Sequence, residues 1–220
     1  MITKHTSSAL KTYQVKNCAV DFTITGRGDN PAWINASMLT NFIYPWENEE
    51  APYLSFQALH TRSWLYCLFR VKDKNVNVFF NTGDKTEVVN SDRVELFLRQ
   101  NQELTPYYCL ELDPQGRILD YQAEFYRKFD MNWSWPKNHL LVKTDQQEDG
   151  YTVEIAISKE SLKQLGLLKD GIIQAGLFRG KCISIQNSNA TMKWMSWVRP
   201  DSKNPDFHIP SSFGVLNLGD

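Results

Sequence analysis

Several absences narrow what this 220-residue chain can be. No run of about eighteen or more apolar residues occurs, so a membrane-spanning helix is excluded. The opening segment, MITKHTSSALKTYQVKN, lacks the apolar core of a signal peptide. That leaves a cytoplasmic protein as read, or a chain whose leader has been removed. There is no basic surplus: Lys plus Arg number 24 against 25 Asp plus Glu. A nucleic-acid binder needs cations to neutralise phosphates, so that class is not expected, and nor is attraction to an anionic membrane surface.

Chemistry-bearing signatures are equally sparse. The four cysteines, Cys18, Cys67, Cys109 and Cys182, show no CxxC spacing. Three of them sit inside apolar runs (LYCLF, YYCLEL, GKCISI), which reads as buried free thiols rather than a zinc site. No nucleophile elbow or phosphate-cradling glycine loop appears. Neither an internal repeat nor a Gly/Ser linker divides the chain, so residues 1–220 read as one domain.

Aromatic side chains, by contrast, are plentiful, with 7 Trp, 9 Tyr and 12 Phe. Trp is costly to expose, and its indole N–H needs a partner when buried. So many of them imply a well-filled β core, an aromatic binding surface, or both.

Short runs of β-branched and aromatic residues recur between turn signals. They cover residues 19–24, 53–59, 64–71, 75–80, 93–99, 107–112, 139–144, 151–157, 172–179 and 192–198. Asp113-Pro114-Gln115-Gly116 has the composition of a type I turn and predicts a hairpin after 107–112. One helix is expected over 159–165, capped by Ser158 and ended by Gly166, with a helical turn near 32–40. Ten strands with short connections predict an all-β, antiparallel, jelly-roll-like β-sandwich with one short helix.

Alternation sorts the strand faces. Val94, Leu96 and Leu98 share one face of their strand, as do Tyr108, Leu110 and Leu112 of the next and Val153, Ile155 and Ile157 of a third. Glu95, Glu111 and Glu154 fall on the opposite faces. Carboxylates in such surroundings need Arg or Lys partners, a metal ion or ligand hydroxyls; Arg93, Arg99, Lys143 and Arg179 are the cations available. The segment WMSWVRPDSKNPDFHIPSSFGVLNL reads as a strand, a proline-stiffened loop and a closing strand. A stiff loop presents Phe207 and His208 pre-organised for a ligand.

That C-terminal segment resembles the signature of the family 9 carbohydrate-binding modules, which ends in Ser-Trp, a variable loop, and aromatic–x–x–Pro–x–x–Phe–Gly–x–Leu. GRGDNPAW (26–33), WLYCLFRVKD (64–73), DRVELF (92–97), the strand and turn of 108–116, and GYTVEIAI (150–157) are similar to further family motifs, in order. The resemblance implies a β-sandwich binding a mono- or oligosaccharide in xylan- or glucan-type glycan catabolism, beside a separate glycoside hydrolase. It implies a sugar held between aromatic rings, with Phe207 as one wall and Glu95 and Glu111 bonding its hydroxyls. His208, Arg179 and Trp197 complete the candidate site. Two positions depart from the pattern: Val89 stands where the second clamp aromatic belongs, and Cys109 where an arginine belongs. Trp46, Trp133 and Trp135 are the rings that could replace the first.

No cofactor is required by this reading. Calcium is left open, with Asp21, Asp29 and Asp73 as loose candidates. Two alternatives use other chemistry: a glycoside hydrolase with Glu95 and Glu111 as its carboxylate pair, and a haem binder using Met192, Met195 and His60 or His208.

Overall fold

The structure is a computed structural model that describes residues 10–219. Residues 1–9, where the expected domain of 1–220 begins, and residue 220, where it ends, lie outside the described residues.

Two sheets face each other. The larger has nine strands: β1 (Thr12–Gln14), β14 (Gly214–Asn217), β12 (Ile172–Gln186), β5 (Arg93–Arg99), β6 (Tyr107–Leu112), β7 (Ile118–Glu124) and β8 (Lys128–Asp130) in spatial order, with β11 (Leu168–Lys169) and β13 (Asn189–Ser196) also paired to β12. The smaller runs β2 (Lys16–Asn17), β3 (Leu54–His60), β4 (Trp64–Lys72), β10 (Gly150–Ser158) and β9 (Leu140–Gln147). Most pairs are antiparallel, as expected, but β1–β14 and β2–β3 are parallel. These short parallel strands tie the amino-terminal segment to both sheets.

The alternation read from the sequence governs the packing. Leu96, Leu110 and Leu177 of the larger sheet meet Phe56, Cys67 and Ile155 of the smaller in one apolar core. Each of the Leu, Ile and Phe side chains contributes roughly 1.5–3 kcal/mol on leaving water. Strands β5, β6 and β10 are buried on both faces, because loops also cover the outer faces of the sheets. That second layer positions the site described below.

Local turn chemistry follows its sequence signals. Gly116 N–H donates to the Asp113 carbonyl (3.0 Å), closing the turn from β6 to β7. The helix α1 (Lys159–Gln164) is capped by the Ser158 hydroxyl on Ser161 N–H (3.0 Å), and Gly166 follows at φ +64°. Pro31–Asn35 forms the short helical turn, as a 3-10 helix capped by Asn30.

Two expected strands are absent. Residues 75–80 run extended but unladdered, because Asn77 N–H is taken by the Asp92 carboxylate and Phe79 N–H by the Ser91 hydroxyl (2.9 Å each). Residues 19–24 lie across the smaller sheet's outer face, with Phe22 stacked on Tyr66 at 4.0 Å. The strand beginning at Ile172 extends to Gln186, since it forms a long hairpin with β13 beyond a bulge between Cys182 and Ser184.

Trp197 belongs to the inter-sheet core, which corrects its expected place in the ligand site. A Cβ on Gly214 would come within 2.6 Å of its ring, so only glycine permits that approach. Trp133 and Trp135 pack with Tyr108 at one end of the same core (4.9 and 6.3 Å between centroids), and the Trp135 N–H donates to Ser161 Oγ.

Candidate functional site

The outer face of the larger sheet carries a polar cluster set by strand register. Glu95 stands directly opposite Glu111 across β5 and β6, and opposite Phe178 across β5 and β12. Two like charges so placed repel. Arg93 lies two residues before Glu95, hence on the same face, and its Nε sits 2.5 Å from Glu111 Oε2 and 2.9 Å from Glu95 Oε1. The single Nε–H donates to Glu111, which also accepts from the Tyr121 hydroxyl at 2.8 Å. Glu95 Oε1 therefore has charge attraction but no hydrogen-bond partner, although the side chain is only 2% exposed. Burial pushes the Glu95 carboxyl up to about 8; Arg93 opposes that rise and Glu111 adds to it.

Apolar walls rise from this floor. The loop after β13 brings Phe207 flat onto Phe178, with centroids 4.0 Å apart and 12° between planes. Trp194 meets the Phe207 ring edge-on at 5.8 Å, and Trp46 tilts against it at 5.4 Å. Trp46 is pinned through its N–H to the Ser202 carbonyl (2.9 Å), and the Arg93 guanidinium lies over Trp194 (5.1 Å). His208 packs between Phe97 and Phe129, with Nδ1 3.0 Å from the Tyr107 hydroxyl. Burial, then the neighbouring Arg127 charge, pulls its pKa down to about 4, so the ring is neutral near pH 7. The enclosed space is about 360 Å³, at the small end of the roughly 300–1,000 Å³ usual for small-ligand pockets.

Asp206 latches the loop. Its Oδ1 accepts from His208 N–H and Arg127 Nη2 (2.9 Å each), and its Oδ2 accepts from the Tyr126 hydroxyl (2.7 Å). Asp206→Asn weakens three charge-assisted bonds at once. Ligand affinity is expected to drop about tenfold with the melting temperature changed little, since the latch is near the surface. Titration calorimetry beside a thermal melt checks this; an unchanged affinity would refute the pre-organising role.

Of the residues singled out in the sequence, Phe207, His208, Glu95 and Glu111 line this one pocket. Arg179 does not join them. Its strand parity places it opposite Val94 on the inner face, where it pairs with Asp73 (2.5 Å) and Asp92 (2.9 Å) instead of neutralising Glu95 or Glu111. Glu154 serves the other sheet, accepting from Thr25 N–H, Gly26 N–H and the Trp33 indole. At the departures from the family pattern, Val89 stands at the pocket wall and gives its carbonyl to Arg93 Nη1 (2.8 Å), while Cys109 is fully buried in the cluster behind it. Trp46 supplies an aromatic wall; Trp133 and Trp135 do not.

Sequence reasoning passed over Tyr121, Arg127, Phe129, Met131, Trp194 and Asp206 as lining residues. Only Trp194 carried a usable signal, since it sits two residues before Ser196 in the Ser-Trp strand. Two of the three calcium candidates are already paired with cationic side chains. Asp29 is paired with Arg27, Asp73 is held between Arg179 and Lys181, and no group of three or more His, Cys, Asp or Glu suits a metal among the described residues. The haem candidates are also scattered: Met195 is in the inter-sheet core, His60 ends β3 of the smaller sheet, and His208 is in the pocket.

No helix among the described residues is long and apolar enough to cross a membrane. Residues 24–220 match the family model described as carbohydrate family 9 binding domain-like. No curated protein sequence matches the chain. A crystal structure of a candidate carbohydrate-binding protein from Bacteroides uniformis ATCC 8492 superposes with a TM-score of 0.73 at 18% identity, covering 96% of this chain and 100% of the other. A family 9 carbohydrate-binding module from Caldicellulosiruptor kristjanssonii in complex with glucose gives 0.58 at 16% identity, over 95% and 96% of the two chains. A family 9 carbohydrate-binding module from the same organism in complex with cellotriose gives 0.60 at 17%, over 94% and 93%. At such identities the likeness establishes the fold.

Proposed function

This chain belongs to the carbohydrate family 9 binding domain-like family, and we propose that its 220 residues form one module that binds a mono- or oligosaccharide without cleaving it. The observation that carries the reading is the pocket on the larger sheet. It joins the ring of Phe207 to a buried carboxylate oxygen, Glu95 Oε1, that lacks a hydrogen-bond partner. Sugars have apolar C–H faces that pack on rings and hydroxyls that need buried partners. Neutral His208 and the Tyr121–Glu111 pair extend the polar lining. Glucose and cellotriose, bound in the similar structures, give the ligand class to try first.

Binding fits the carboxylates better than hydrolysis does. A glycosidase holds its two carboxylates on either side of the scissile bond, with the sugar between them. Here the Arg93 guanidinium occupies the space between Glu95 and Glu111. The proposed setting is xylan- or glucan-type glycan catabolism, with a separate glycoside hydrolase supplying chain ends.

Isothermal titration against glucose, xylose, cello- and xylo-oligosaccharides tests this. Dissociation constants between about 10 μM and 1 mM are expected, weakened at least about tenfold by Phe207→Ala. Absence of heat at millimolar sugar from intact, folded protein would sink the proposal for those ligands. Product release from a glycan panel, abolished in Glu95→Gln, would instead favour the hydrolase.

A further inference from the structure

At the end of the smaller sheet, two adjoining hollows share Arg62, Lys159 and Lys163 in their linings. Arg62 is in the turn between β3 and β4, while Lys159 and Lys163 lie one helical turn apart on α1. Like charges at that spacing repel. Among the described residues none of the three cations forms a salt bridge. Glu160 and Asp170 each line one hollow, but neither pairs with them.

A second observation points to a ligand. His60 lines one of the hollows and is only 7% exposed. Its Nδ1 lies 2.8 Å from the Lys159 ammonium, which has no acceptor capacity, so Nδ1 accepts and Nε2 carries the ring proton. That buried Nε2–H has the Leu218 backbone beside it but makes no hydrogen bond of normal geometry among the described residues. Burial, and then the Lys159 charge, lower the His60 pKa; burial, and then Lys163, lower that of Lys159. Repelling cations beside a buried donor that makes no hydrogen bond of normal geometry are relieved by a bound anion.

We infer that Arg62, Lys159, Lys163 and His60 form a second site, separate from the aromatic pocket, that takes a phosphate or sulfate oxyanion, free or as an ester on a saccharide. Three convergent cations suit a multiply charged tetrahedral group, and a neutral N–H adds a directed bond. The remaining lining includes Trp64 in one hollow and Gly171 in the other.

The test is titration of sodium phosphate, sodium sulfate, and one disaccharide in sulfated and unsulfated forms, against sodium chloride of matched ionic strength. Phosphate or sulfate is expected to bind with a dissociation constant near 1 mM or tighter. The double variant Arg62→Gln/Lys163→Gln changes two exposed side chains and should weaken it at least about tenfold. Phe207→Ala should leave the oxyanion affinity unchanged, which separates this site from the saccharide pocket. In 15N spectra the His60 ring signal should move on adding phosphate and stay still with chloride. Tighter binding of the sulfated disaccharide than of sulfate would assign an ester ligand; equal binding would assign the free ion. Heat no larger than with chloride, heat surviving the double variant, or heat lost in Phe207→Ala would each overturn the site.

Discussion

Arg93→Met is expected to lower the unfolding free energy by about 3–5 kcal/mol at pH 8 and to abolish saccharide binding. The size follows from what the guanidinium does. It is 5% exposed and is the only cation within bonding distance of either Glu95 or Glu111 among the described residues. Methionine fills a similar volume but leaves two buried carboxylates facing each other in strand register. Losing the charge that opposes the rise pushes the Glu95 carboxyl above about 8, so at pH 8 it must take up a proton that the parent holds only in part. The penalty should therefore shrink as pH falls and protons become available. Urea unfolding at pH 5 and pH 8 measures both quantities. A loss that is equal at the two pH values, or below about 1 kcal/mol at pH 8, would show that Arg93 does not hold this cluster together. Arg93→Lys keeps the charge but not the planar fork that also reaches the Val89 carbonyl and covers Trp194. It should recover only part of the stability.

The cluster was half legible in the sequence. Period-two alternation put Val94, Leu96 and Leu98 on the core face, and so put Arg93 and Glu95 together on the other. Alternation names a face but not a register. That Glu95 meets Glu111, and not a residue two positions away, depends on the pairing of β5 with β6. Arg179 was readable in the same way, because parity groups it with Ile173, Ala175 and Leu177 on the inner face. What hid its role is that Asp73 and Asp92, its partners, lie about a hundred residues away in sequence. Caps and turns were read well, since Ser158, Gly166 and Asp113–Gly116 act within their own segments. The latch of Tyr126, Arg127 and Asp206 was invisible: it joins two loops that have no periodicity. Trp46 was one of three tryptophans that the sequence offered; its choice over Trp133 and Trp135 depends on loop packing, in which its indole bonds the Ser202 carbonyl of a distant loop.

Glu95→Gln should give the opposite stability effect from Arg93→Met, from the same cluster. The Glu95 carboxyl titrates near 8 when folded, against about 4.5 as the ordinary value. Between those values the folded state binds more protons than the unfolded chain. Stability carried by this group is therefore complete below about pH 4.5 and is lost as pH rises through about 8, at up to roughly 1.4 kcal/mol per pH unit. Glutamine has nearly the shape of the protonated acid and cannot ionise. The variant should be on the order of 3 kcal/mol more stable than the parent at pH 9 and nearly equal to it at pH 4. His208 works in the other sense, its lowered pKa removing stability as pH falls from about 6.5 towards about 4. It is present in both proteins, so the difference between their two pH curves isolates Glu95. The gain carries a functional cost. The buried oxygen that meets a sugar hydroxyl would become an amide, and the charge-assisted bond it forms once ionised would be lost, so affinity at pH 8 should fall about tenfold. Parallel stability curves for variant and parent from pH 4 to 9 would mean that Glu95 remains ionised beside Arg93 throughout.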